Sequence, residues 1–152
     1  MRKLTLSVIA LVTVLSLSTG PAQAADDAVM QVKQVVERGY VNGAFNALDP
    51  DAMEAGFHPD FAIFSPDGQK IGRYPIADWV AGTRKRKASA DFDPAKNIWK
   101  HEFVSVDVTG NSAAVQLELS KDGKLVYTDY LLLLNFEGDW RIVAKVDHSH
   151  AD

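Results

Sequence analysis

The chain has 152 residues, with 16 Lys and Arg against 20 Asp and Glu, a formal net charge of −4 and no cysteine. That length suits one domain with a real core, and the lack of cysteine excludes a disulfide framework and thiol chemistry. An acidic chain without a basic face repels phosphate backbones, so no nucleic-acid partner is expected.

The first element is an export signal. Arg2 and Lys3 give a basic start, Leu4 to Leu17 is apolar apart from Thr and Ser, and Ala22-Gln23-Ala24 offers small residues for cleavage. A signal peptide over residues 1–24 and a single mature domain over 25–152 follow, with a periplasmic or secreted location. The apolar run is shorter than the ~20 residues a spanning helix needs and stops at Gly20-Pro21, so no stable membrane insertion is expected after cleavage. Cleavage leaves 14 basic residues against 20 acids, a net charge of −6.

Asp26 or Asp27 is placed to cap a first helix whose Val29, Val32, Val35, Val36, Tyr40 and Ala44 recur at helical spacing. Asp49-Pro50 reads as N-cap and first residue of a short second helix carrying Ala52, Met53 and Phe57, ended by His58-Pro59. Phe61 to Phe64 reads as a strand, Ser65 to Gly68 as a turn, and Lys70 to Arg73 as the returning strand. Tyr74-Pro75 opens a third helix with Ile76, Trp79 and Val80. The basic run Arg84-Lys85-Arg86-Lys87 follows its end, as a solvated loop favouring the helix terminus or as an anion gate.

From Ile98 onward, turn signals at Thr109-Gly110-Asn111, Lys121-Asp122-Gly123 and Phe136-Glu137-Gly138 divide the chain into a four-stranded antiparallel meander. Helices first and curved sheet afterwards make an α+β domain. In the last strand Trp140, Ile142, Ala144, Val146 and His148 alternate with Arg141, Val143, Lys145 and Asp147. A two-residue turn at Glu137-Gly138 pairs Asn135 with Trp140 and sets Tyr127, Asp129 and His148 on one face, whereas a three-residue loop flips the register. Both faces are partly apolar, which predicts that the outer one is covered, as by a second copy of the chain.

Tyr40-Val41-Asn42-Gly43, Phe57-His58-Pro59-Asp60, Val108 to Ala113, Thr128-Asp129-Tyr130-Leu131 and Gly138 to Val143 occur in an order that resembles the nuclear transport factor 2-like superfamily. The resemblance is to the branch called putative lumazine-binding proteins, near the SnoaL-like cyclases. It implies a cone formed by a strongly curved, mostly antiparallel sheet, closed by the N-terminal helices, with an interior pocket and frequent dimerisation through the sheet.

Asp129 is the sharpest candidate residue. An ionised carboxylate within an apolar strand loses solvation, so it either shares a proton, which suits acid-base work, or is paired with Lys145, Arg141 or a tyrosine hydroxyl. His58 and Asp60 flank a proline at a rigid corner; His58 either moves protons with Asp60 orienting it, or ends the helix and bonds backbone carbonyls. His148 and His150, two apart at a terminus, make too weak a set for a metal, and His148 is expected to line the pocket. Of the aromatic residues, Tyr40, Phe57, Phe61, Trp79, Tyr127 and Trp140 are the candidate ligand contacts, with Tyr40 and Trp79 preferred for their polar handles.

The sequence therefore reads as an exported domain binding a small, largely apolar molecule, with no cofactor implied. One alternative is an isomerase, cyclase or lyase-type enzyme using Asp129 with His58 or Asp60. The fold it resembles is shared with ketosteroid isomerase, where an aspartate base works beside a tyrosine and a protonated aspartate, a trio for which Tyr40, Asp60 and Asp129 are the candidates here. Another alternative is a module for dimerisation or protein docking.

Overall fold

A computed structural model describes residues 21–150 of the chain. Residues 1–20, which hold most of the expected export signal, lie outside the described residues. Helix α1 spans Pro21–Val35, with proline at its first position, where a missing N–H costs nothing. It begins upstream of Asp26 and Asp27, which therefore sit inside the helix and do not cap it, because Ala22 to Ala25 continue the helix. From Val36 to Asn46 the same rod is π-helical, with Ala47 N–H donating to Asn42 O at 2.8 Å, five residues back. Such wide turns are uncommon and cluster at functional sites.

Helix α2 (Pro50–Gly56) starts as the sequence predicts, its Asp49 side chain accepting from Asp51 and Ala52 N–H. It ends one residue earlier than expected, since Phe57 is already extended and opens strand β1 (Phe57–Asp67). Gly39 and Gly56 let the two helices touch: a Cβ on Gly39 would lie 2.9 Å from Gly56 Cα. Strand β2 (Lys70–Pro75) returns through Gly68, whose φ of +61° suits glycine. Helix α3 (Ile76–Lys87) then holds Arg84 to Lys87 in its last turn, so the basic run is helical and not a following loop; its charges complement the helix terminus from within.

Strands β3 (Trp99–Thr109), β4 (Ser112–Lys121), β5 (Lys124–Phe136) and β6 (Asp139–Ser149) form the predicted meander. The sheet order is β2-β1-β6-β5-β4-β3, antiparallel except for the β1–β6 pair. An extra residue interrupts the ladder in each of three strands: Val104 against β4, Val126 against β4 and Val143 against β5. Each bulge bends its strand and raises the local twist. The sheet is strongly curved but not closed, leaving β2 and β3 as edges.

The helices cover the concave face. Val32, Val36, Tyr40, Met53, Phe57 and Phe61 meet Leu117, Leu119, Leu131, Leu133 and Ile142 there in one core.

Glu137 and Gly138 both take positive φ and Asn135 pairs with Trp140, as the two-residue turn requires. The Val143 bulge then breaks the alternation: Leu133 pairs with Ile142, but Leu132 pairs with Ala144. Beyond it, Lys145 is buried on the concave side, while Val146 and His148 are exposed. The expectation that His148 shares the face of Asp129 is thus corrected. His148 pairs with Thr128, and the residue facing Asp129 across the ladder is Asp147.

Candidate functional site

Four polar side chains meet under the concave face. Asp129, with no exposed surface, accepts a hydrogen bond on Oδ2 from the Tyr40 hydroxyl at 2.6 Å. Asp129 and Asp147 stand opposite each other on β5 and β6, a placement that like charges disfavour. Lys145, two residues before Asp147 on the same face, supplies the offsetting charge. Its Nζ lies 3.0 Å from Asp129 Oδ1 and 2.6 Å from Asp147 Oδ1. The contact with Asp129 is an ion pair between two buried groups. The ammonium also lies 5.8 Å from the ring centres of both Tyr40 and Tyr127, a cation–π distance.

Burial pushes the Asp129 carboxyl above its usual range; the Lys145 charge and the Tyr40 hydrogen bond oppose the rise without cancelling it, and Asp147 adds to it. Burial first, then the charge of Asp129, hold the Tyr40 hydroxyl well above its ordinary value. Both values are raised, so the stability these groups contribute is complete below their unfolded values and is lost as pH rises through the folded ones. For Tyr40 that window opens above about 10. Tyr40→Phe is therefore expected to flatten the alkaline fall in stability, while costing about 1–3 kcal/mol at neutral pH because Asp129 Oδ2 loses its donor. Urea midpoints measured at neutral and alkaline pH check both effects.

Beside this cluster opens a cleft of about 250 Å³ lined by Ala44, Phe45, Ile63, Trp79, Arg86, Tyr127, Lys145 and Asp147. Its aromatic wall is continuous: Phe45 meets Tyr40 at 5.2 Å, Trp99 at 5.0 Å, Tyr127 at 6.2 Å and Trp79 at 6.4 Å between ring centres. The π-helical turn delivers Phe45 and Ala44 here along with Tyr40. Arg86 is tied to the Ala44 carbonyl at 2.9 Å, which fixes the end of α3 over the opening.

Of the residues singled out in the sequence, Tyr40, Trp79, Tyr127 and Asp129 assemble around this cleft or directly behind it. Phe57 and Phe61 are buried in the core against Trp79, and Trp140 lies at the far end of β6. His58 and Asp60 are brought to each other, 3.7 Å apart, but His58 stacks on Phe136, seven residues along β5 from Asp129. Asp60 is almost fully exposed, so the trio Tyr40, Asp60 and Asp129 does not form. Of the two readings of Asp129, pairing is what the geometry displays, with Lys145 and a tyrosine hydroxyl both engaged. Phe45, Ile63 and Asp147 had no sequence signal beyond alternation. The Val143 bulge hid the last of these.

The family described as "Putative lumazine-binding" matches residues 27–148, and the chain belongs to it. Among solved structures, an NTF2-like protein of unknown function from Methylobacillus flagellatus KT shares 30% identity over 82% of this chain and 94% of its own, at a TM-score of 0.62. One from Shewanella baltica OS155 shares 24% over 89% and 100%, at 0.66. A "putative dehydratase from the NTF2-like family" from Streptomyces avermitilis is similar at 14% identity over 84% and 99%, at 0.56, a likeness of fold alone. No curated protein matches the chain. Family and fold together support a small-molecule-binding domain, with the NTF2-like architecture that the sequence resemblance implied.

Proposed function

We propose that the chain is an exported domain that holds a small, largely apolar molecule in the cleft beside Lys145. The observation that carries this reading is the pairing of an aromatic wall with one anchored ammonium. Phe45, Trp79 and Tyr127 offer flat apolar surface, and Lys145 and Asp147 offer a donor and an acceptor side by side at the same wall. A pocket of mostly apolar lining with a few convergent polar groups is the usual form of a small-molecule site. Charges nearly cancel within it, which suits a neutral ligand. Export is supported by the basic start, apolar run and small residues of positions 1–24.

Acid-base catalysis by Asp129 with His58 or Asp60 is the weaker reading. Asp129 sits behind Lys145 and Tyr40 with no surface of its own, and His58 and Asp60 lie at the other end of the sheet. Native mass spectrometry of the protein purified from the cells that make it tests the binding reading. A small neutral adduct, lost on denaturation and absent from Trp79→Ala, is the expected result. A bare chain whose Trp79 and Tyr127 resonances are unmoved by a panel of neutral aromatic probes would overturn it.

A second copy of the chain is the occupant we propose for the convex face. Tyr130, Leu132, Leu134 and Val146 are each more than a third exposed there, and Tyr130 pairs directly with Val146. Contiguous apolar surface of this kind marks an interface. Light scattering is expected to give a dimer mass for the parent and a monomer mass for Leu132→Asp, with the fold intact by circular dichroism.

A further inference from the structure

A second cleft, of about 210 Å³, lies between α1 with its π-helical continuation, α2 and the β5–β6 turn. Its position is independent of the cleft beside Lys145. Trp140 lines it, and Trp140 pairs with Asn135, six residues and about 20 Å along β5 from Asp129. Gly39 and Gly56 contribute bare backbone to its wall, and Gln31, Gln34 and Arg38 stand around it on the helix.

Two of its polar side chains, Arg38 and Trp140, can only donate, and Gln31 and Gln34 can each turn an amide N–H toward a ligand. Arg38 is exposed and makes no ion pair or side-chain hydrogen bond among the described residues. The one acid among the described residues of the lining, Asp139, has its Oδ2 engaged by Arg141 through contacts of 2.6 and 2.7 Å. Arg141 in turn caps the end of α2 by donating to the Glu54 and Ala55 carbonyls. Trp140 is 3% exposed and its indole Nε1–H has no partner among the described residues. An unmet buried donor costs about 1–3 kcal/mol, a penalty that a ligand oxygen reaching it would remove.

A free guanidinium, an unmet indole N–H and two carboxamides, in a chain that is otherwise acidic, call for an anion with two acceptor oxygens. One uncommitted cation balances a single negative charge, which favours a carboxylate over a phosphate dianion. Val35, Ala52 and Ala55 supply apolar lining for a short carbon chain. The volume falls below the ~300–1,000 Å³ of drug-sized sites, so the molecule is small. We propose that this cleft is a separate binding site for a small aliphatic carboxylate, held by Arg38 with Trp140 as the second donor.

Pentanoate and its uncharged counterpart pentanamide are the probes, added to the full chain and read by the indole N–H resonance assigned to Trp140 through its loss in Trp140→Phe. Pentanoate should move that resonance saturably. Pentanamide, and pentanoate with Arg38→Gln, should each bind roughly tenfold or more weakly, as expected for loss of a charge-assisted bond. Arg38 is exposed, so the variant keeps the fold, and an unchanged circular dichroism melt verifies it. The proposal is overturned if the Trp140 resonance does not respond, if pentanamide binds as well as pentanoate, or if Arg38→Gln binds as the parent does. None of these outcomes bears on the cleft beside Lys145.

Discussion

Lys145→Met is expected to lower the stability of the domain by about 3–5 kcal/mol, the cost of leaving a buried charge without its partner. Asp129 has no exposed surface, and after the substitution only the Tyr40 hydroxyl would face it, with the charge of Asp147 still opposite. The carboxyl would respond by holding its proton more tightly, because the charge that opposes its rise is gone. A raised carboxyl contributes stability below its unfolded value, about 4, and loses it as pH rises through the folded value. The variant should therefore recover part of its loss on acidification toward that value, gaining more than the parent does, because its carboxyl is raised further. Adding Asp129→Asn to Lys145→Met removes the stranded charge and should restore a substantial share at neutral pH. Urea denaturation of the parent, both single variants and the double variant at two pH values measures this cycle. A loss that is independent of pH and unrelieved by Asp129→Asn would mean that Lys145 contributes packing alone.

Phe57→Ala is expected to cost about 3–5 kcal/mol, the range for truncating a buried aromatic side chain. Phe57 is 1% exposed and lies 4.6 Å from Phe61, 5.6 Å from Trp79 and 6.3 Å from Tyr40 between ring centres, so its loss opens a cavity at the centre of the aromatic core. Phe57→Leu should cost much less, since most of the volume is kept. The same ring does not line the cleft beside Lys145, so the leucine variant should bind ligand there as the parent does. The denaturation midpoints of the two variants distinguish a core residue from a ligand contact.

The fold was legible in the sequence because its signals are local. Asp49-Pro50 carries its own capping chemistry, Glu137-Gly138 its own turn, and the four strands their own alternation, so these elements form where the pattern places them. What escaped was any feature whose cause lies across the sheet. Val143 is an ordinary strand residue, and nothing in its neighbours announces that it will be left unpaired against β5. That single extra residue exchanges the faces of everything after it, burying Lys145, bringing Asp147 to the wall of the cleft and sending His148 out. Tyr40 and Asp129 were visible as candidates because a polar group among apolar neighbours needs a partner. That they are each other's partner, 89 residues apart, follows from packing the π-helical turn against β5. His58 and Asp60 show the converse: their spacing does bring them together, but the long irregularity between Phe57 and Ala62 where β1 meets β6 leaves them near Phe136, remote from Asp129.

The most direct test of ligand binding beside Lys145 is a lysine-selective nuclear magnetic resonance titration of the full chain with small neutral aromatic probes, following the Nζ signal that Lys145→Met removes. Two carboxylates hold that ammonium at 2.6 and 3.0 Å, so its signal should be sheltered from exchange and should move with at least one probe in step with the Trp79 indole. Probes that bind the protein while leaving both the Lys145 and Trp79 signals in place would contradict the account.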